Sequence, residues 1–321
     1  MTSGRGVPTF VQYCILIKFI SGGLESKIIC RFAEMNQTVF WTGQFVSGMI
    51  EFNNYDHQEL RLKSINAELI GEFVRLKAIS KGVRSETKII VFKEELNLYS
   101  ISDQDSSLLT YENHKWPFRF FLNNFIPPSI EKNRISDSYI HYFLRIKLIK
   151  PEWYKRNIQK TILITVKHAS SPVNATRFML EDKNRNNVYL RIILQKQIAI
   201  VGKNFSFEVD IQNPKQAMIR RISVTLTHYF EFGSYLCQKL KLIDKPLEKI
   251  RRLRSIHFHD NFQLYIPHTA SPTFSFYPPS DNKNFPISVR YELRFVATIR
   301  GFFTNIRLQV PLIINSYPEN N

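Results

Sequence analysis

Two tandem antiparallel β-sandwich domains, all-β, are the fold this sequence predicts. Three observations carry the prediction. Apolar residues recur with a period of two, the strand-like runs are short and separated by Asn, Asp, Gly and Pro, and the second half repeats the first in the same order. The 321 residues suit two domains of about 150 residues better than one.

Residues 1–26 stand ahead of the first clear strand. Phe10 to Ile20 is apolar but broken by Gln12 and Lys18, and Arg5 is its only preceding positive charge. This stretch is therefore read as a disordered extension or an extra strand rather than a leader. Phe45 to Phe52 reads as a strand, and Leu60 to Ile65 alternates. Phe118 to Leu122, Tyr142 to Leu148, Thr161 to Val166 and Leu190 to Leu194 follow the same period. Phe118, Phe120 and Leu122 fall on one face and are expected in the core. Pro117 is expected at a strand start, where its missing amide is not needed. Helical patterning is nearly absent; Lys245 to Arg254 reads as a helix or as an edge strand.

The repeat is carried by four pairs of segments. Gly43-Gln44-Phe45-Val46-Ser47-Gly48 leads into Met49 to Asn54 as Gly202 to Phe207 leads into Glu208 to Asn213. Ile65 to Leu69 matches Ile222 to Leu226. Trp116 to Leu122 matches Asp260 to Ile266, and Tyr142 to Ile146 matches Tyr291 to Phe295. Gly43 and Gly202 sit between strands, where positive φ relieves a tight turn. The expected division is an N-terminal sandwich over 27–167, a polar connection over 168–187, a C-terminal sandwich over 188–316 and a short tail over 317–321.

Composition excludes several classes. Hydrophobic residues make up 44% and charged residues 22%, which fits a globular chain rather than a disordered one. No apolar run reaches the length of a transmembrane helix. Three scattered cysteines, Cys14, Cys30 and Cys237, argue against a disulfide framework and for a reducing compartment. GxSxG, P-loop and GxGxxG motifs are absent, as are CxxC and HExxH, so neither catalysis nor a zinc site is expected. His257 and His259 would share a strand face but lack a third ligand at suitable spacing. No cofactor is expected.

The net charge of +17 at pH 7 favours acidic partners. Its densest source is Gln238 to Arg254, where Lys239, Lys241, Lys245, Lys249, Arg251, Arg252 and Arg254 face only Asp244 and Glu248. Read as lying between two strands, this run could take anionic lipid headgroups or a phosphorylated cargo tail, or it could be a solvated face. RNA binding is an alternative from charge, but most of the 26 Phe and 14 Tyr fall in alternating strands and are expected in cores.

These segments resemble the arrestin fold, an immunoglobulin-like pair of sandwiches, and within it the α-arrestins. Val39 to Gly48 is similar to that family's strand-turn-strand. Glu112 to Phe120, with Pro127-Pro128-Ser129-Ile130, resembles its proline-bearing run, and Lys150-Pro151-Glu152-Trp153 its proline and tryptophan. Val201 to Val209 and Asn213 match its C-terminal signature. Gly43, Gly48, Pro117, Phe118, Phe120, Pro128, Gly202 and Asn213 are thereby structural positions. The resemblance implies a non-enzymatic adaptor, cytoplasmic and peripheral at plasma membrane or endosomes. Its partners would be the cytoplasmic tails of receptors or transporters, whose endocytosis, ubiquitination or sorting it regulates. A retromer-subunit-like scaffold is a second version of the same fold. Neither Pro127-Pro128-Ser129-Ile130 nor Pro278-Pro279-Ser280-Asp281 carries the tyrosine of a PPxY motif, so contact with a ubiquitin ligase is expected to be indirect.

Overall fold

The computed structural model describes residues 27–34, 38–53, 60–80, 83–100, 108–109, 113–131, 138–152, 154, 156–168, 176–233, 236–277, 286–301 and 304–316. The expected extension over 1–26, the tail over 317–321, Trp153 and Pro278 to Asp281 lie outside them. Among the described residues there are twenty strands and no helix.

Ten strands belong to the first half: β1 (Lys27–Phe32), β2 (Val39–Trp41), β3 (Phe45–Asn53), β4 (Leu60–Arg61), β5 (Ser64–Ser80), β6 (Val83–Ser100), β7 (Leu108–Leu109), β8 (Asn113–Phe121), β9 (Ser138–Ile149) and β10 (Ile158–Lys167). The second half holds β11 (Phe178–Lys183), β12 (Tyr189–Leu194), β13 (Ile198–Ile200), β14 (Asn204–Gln212), β15 (Ile219–Phe232), β16 (Leu236–Leu253), β17 (His257–Tyr265), β18 (Phe274–Phe276), β19 (Ile287–Ile299) and β20 (Ile306–Asn315). The alternating run at Leu60 is divided, with β4 pairing to β7 and β5 starting at Ser64.

Sheet order shows the duplication directly. β1-β3-β8 recurs as β12-β14-β17, and β2-β10-β9-β5-β6 recurs as β13-β20-β19-β15-β16. The sandwiches are not wholly antiparallel: β2 runs parallel to β10, and β13 parallel to β20. These three-residue strands cross from one sheet to the other between β1 and β3, and between β12 and β14, so their direction is set by the crossing.

Individual hydrogen bonds repeat as well. The Gly43 amide donates to the Leu122 carbonyl at 2.6 Å, and the Gly202 amide to that of Ile266 at 2.9 Å. Tyr142 and Tyr291 occupy matching places on β9 and β19. Their hydroxyls donate to the carbonyls of Pro127 and Ser271, both at 2.6 Å. Ser129 Oγ accepts the Val166 amide as Thr273 Oγ1 accepts that of Ile314, both at 2.9 Å. These bonds tie the loop after β8, or after β17, to the opposite sheet and close that end of each core.

Phe118, Phe120 and Leu122 are buried against Val46, Ile50 and Phe52. Pro117 corrects its expected place: it lies inside β8, opposite Met49. The position is tolerated because β8 is the outer strand of its sheet. Gly48 is surrounded by the Arg31 carbonyl, Phe32 Cα and the Phe118 ring, so a Cβ there has no room. Asn213 is fully buried. Its side chain both donates to the Ala217 carbonyl and accepts the Ala217 amide, each at 2.9 Å, and so braces the β14–β15 turn.

Gly202 has φ of 75°, and a Cβ on it would meet the His268 ring. His268 is exposed and can swing aside, so the cost is mainly backbone strain. Gly202→Ala is expected to lower stability by about 1–2 kcal/mol, and chemical denaturation checks this. An unchanged midpoint would show that the turn relaxes freely.

The halves differ at one edge. β11 covers the outer edge of β12, although it falls within the stretch read as a polar connection. Only Phe178 and Leu180 turn partly inward, and exposed Glu181, Asp182 and Lys183 follow, so the apolar alternation is too short to mark a strand. β1 has no such cover among the described strands. Instead Lys160 Nζ, reaching over from β10, donates to the Ile28 carbonyl at 2.7 Å. Leu308 holds the matching place in β20. The lysine thus satisfies an edge carbonyl that the second half shields with a strand.

Candidate functional site: a basic edge strand

Among the described strands β16 is the outermost of the six-stranded sheet and pairs only with β15. The basic run is therefore neither a helix nor a segment between strands; it is the strand itself. Leu240, Leu242, Leu247, Ile250 and Leu253 turn inward in part or fully, and their spacing is broken by a bulge. Arg221 of β15 stands opposite Arg251, but Ser223 stands opposite Pro246, so residues 247–250 loop out of register. The bulge drives Leu247 and Ile250 into the core, and this irregularity gives the sequence its helix-like look.

All seven basic side chains are exposed, but they are not equivalent. Lys241 pairs with Asp244 at 3.1 Å, Lys249 with Asp260 of β17 at 2.6 Å, and Arg251 with Glu248 at 3.1 Å. The hydrogen bonds of Lys241 and Thr225 hold the Asp244 carboxyl below the usual range, and that of Lys249 does the same for Asp260. Lys239 lies over the Tyr229 ring at 5.4 Å. Lys245, Arg252 and Arg254 have no ion pair among the described residues. Arg252 also has φ of 53°, where the backbone leaves the extended form.

Folding adds cations that spacing along the chain does not reveal. Arg220 and Arg221 of β15 are exposed, and Arg221 sits directly across from Arg251. Arg300 joins them, its amide donating to the Met218 carbonyl at 2.9 Å. Like charges directly opposite each other weaken a strand pair unless an anion lies between. The pair Arg220-Arg221 was visible in the sequence as a doublet, but only register places it beside β16. The corresponding strand of the first half, β6, carries Glu86, Glu94 and Glu95 among its lysines, so the fold does not require a basic outer strand.

Other titratable clusters are structural. Glu68 of β5 is buried within reach of Lys147 at 2.8 Å and of Lys93 and Arg145, both at 3.5 Å. Burial raises its pKa, but the hydrogen bond and charge of Lys147, with Lys93 and Arg145, outweigh that and hold it low. Burial pushes the Cys30 thiol up to about 12, so it is not a nucleophile at neutral pH. His257 and His259 are both exposed on β17. Among the described residues no three His, Cys, Asp or Glu side chains come together as metal ligands would. Nor is any helix long and apolar enough to cross a membrane.

Residues 184–319 match the family model of the arrestin (or S-antigen) C-terminal domain. The match spans β12 to β20, the half that carries the basic strand. No curated protein matches the chain. With the all-β architecture, the match defines the fold as arrestin-like tandem β-sandwiches, a class whose general role is that of a trafficking or signalling adaptor.

Proposed function

We propose that this chain is a non-enzymatic adaptor of α-arrestin type, its two domains spanning 27–167 and 188–316. It binds the cytoplasmic tails of membrane receptors or transporters and promotes their endocytosis, ubiquitination or endosomal sorting. Ligase contact is indirect. The observation that carries the reading is the union of two properties in β16: an open strand edge and a row of exposed cations. An open edge offers backbone amides and carbonyls to an added strand. The cations select an acidic one, and arginine in particular forms two-pronged bonds to carboxylate or phosphate. A lipid surface needs the charge but makes no use of the edge, so an extended acidic or phosphorylated peptide is the better fit. RNA would need exposed rings beside the cations. β16 carries no aromatic side chain, Tyr229 and Phe230 of β15 are buried, and the exposed rings Tyr265 and Tyr277 lie outside both strands.

The test is a charge reversal at Lys245, Arg252 and Arg254, which carry no described ion pair. Changing all three to Glu is expected to weaken binding of an acidic, extended peptide by at least about tenfold while leaving the melting temperature unchanged. Equal binding by both proteins would remove β16 as the site. Loss of binding to anionic vesicles, with peptide binding intact, would make the partner a membrane.

A further inference from the structure

We propose that Ser255, in the connection between β16 and β17, is a phosphorylation site whose phosphate discharges the basic strand. The discharge rests on the reading of β16 as an acidic-peptide site; the acceptor assignment does not. Ser255 is exposed and lies outside both strands. Its hydroxyl has no hydrogen-bond partner among the described residues. Directly before it stand Arg251, Arg252 and Arg254, all exposed. Directly after it the backbone is anchored, the Ile256 carbonyl accepting the Asn213 amide at 2.7 Å. A free hydroxyl just C-terminal to several solvent-facing arginines suits a serine kinase whose substrate groove is acidic.

The fold does not demand this arrangement. In the first half the matching stretch, 101–112, holds Asp103, Asp105 and Glu112 and no lysine or arginine. The end of β6, Glu94 to Ser100, has none either, so Arg251 and Arg252 at the end of β16 and Arg254 in the connection are not part of the sandwich plan. Arg252, at φ 53°, leaves the extended conformation, while Leu253 still pairs with Ile219 and ends the strand just before Arg254 and Ser255.

In the transfer itself, Ser255 Oγ attacks the γ-phosphorus of ATP. The bond to the β–γ bridging oxygen breaks, ADP leaves, and the hydroxyl proton passes to the kinase's own carboxylate base. The phosphoserine then carries about two negative charges among Arg251, Arg252 and Arg254, with Arg220 and Arg221 on the neighbouring strand. It takes up the guanidinium donors that an acidic peptide would use.

The full chain would be incubated with ATP and an arginine-directed serine kinase, and the product mapped by mass spectrometry. One phosphate on Ser255, absent from Ser255→Ala, is expected. No phosphate there, or phosphate only after thermal unfolding, overturns the assignment. The second measurement is fluorescence anisotropy with an extended peptide alternating glutamate and valine. Binding about tenfold weaker after phosphorylation is expected, with Ser255→Ala unaffected by the same treatment. Unchanged binding by the phosphorylated chain overturns the discharge. If the unmodified chain does not bind this peptide, the peptide-site reading falls and the switch with it, while the mass map alone decides the acceptor.

Discussion

Phe73→Ala is expected to lower stability by about 3–5 kcal/mol and to split one unfolding transition into two. Phe73 on β5 is fully buried, yet part of what covers it comes from the other half of the chain. Its ring stacks on Phe232 at 4.7 Å and on Phe230 at 6.0 Å. The duplication gives this contact its form. Gly71 faces Tyr142 as His228 faces Tyr291, which makes Phe73 and Phe230 the same position in the two repeats. The halves thus meet as a two-fold dimer would, each presenting the same residue to the other. Truncating Phe73 removes a large apolar side chain at a place no single sandwich can close by itself. Urea denaturation of Phe73→Ala, Phe232→Ala and the double variant would measure it, with strong non-additivity between the two rings. Additive losses and a single transition would show that each ring serves only its own core.

The duplication was legible because strand pairing preserves spacing along the chain. The matches of Ile65 with Ile222, Trp116 with Asp260 and Tyr142 with Tyr291 correspond, residue for residue, to matching places in the sheets. What escaped the sequence depends on pairs distant along it. Arg221 reaches Arg251 only through the register of β15 on β16. Lys160 stands just ahead of the run read as a strand, Thr161 to Val166, and nothing in its spacing points to the Ile28 carbonyl that its ammonium reaches. β11 escaped because its alternation is confined to Phe178 and Leu180 and then gives way to exposed Glu181, Asp182 and Lys183. The helix-like spacing in Lys245 to Arg254 is the imprint of the bulge, which places Leu247 and Ile250 three apart on the buried side. The edge strand is one of two readings of this run, and irregular pairing is what keeps the helix open beside it.

The second half is expected to lose stability as pH falls from about 6.5 toward 4, and His228 is the cause. Its ring lies within β15, between Leu240 of β16 and Tyr291 of β19, 5.1 Å from the Tyr291 ring. Nε2 is buried without a hydrogen-bond partner. Burial therefore favours the neutral imidazole and lowers its pKa from 6.5 to about 4. The sign follows from linkage. A folded-state pKa below the unfolded one means that the unfolded chain binds the proton first, so stability is complete above about pH 6.5 and is lost as pH falls through the window. At about pH 5 the loss amounts to roughly 2 kcal/mol, from about 1.4 kcal/mol per pH unit. Above about pH 5 the lowered carboxyls Glu68, Asp244 and Asp260 add little, because their linked loss of stability sets in only as pH falls through their ordinary values of 4.5, 3.8 and 3.8. His228→Leu keeps an apolar side chain of similar reach and removes the proton site. Denaturation midpoints of the two proteins, measured from neutral pH to about pH 5, should diverge: falling for the native chain and flat for the variant. Parallel decline of both would place the acid-sensitive group elsewhere. In the first half Gly71 takes this position and the Tyr142 ring fills the space, so the acid sensitivity belongs to the half that carries the basic strand. Protonation of His228 would then loosen the second half around β15, the strand that holds β16 in place.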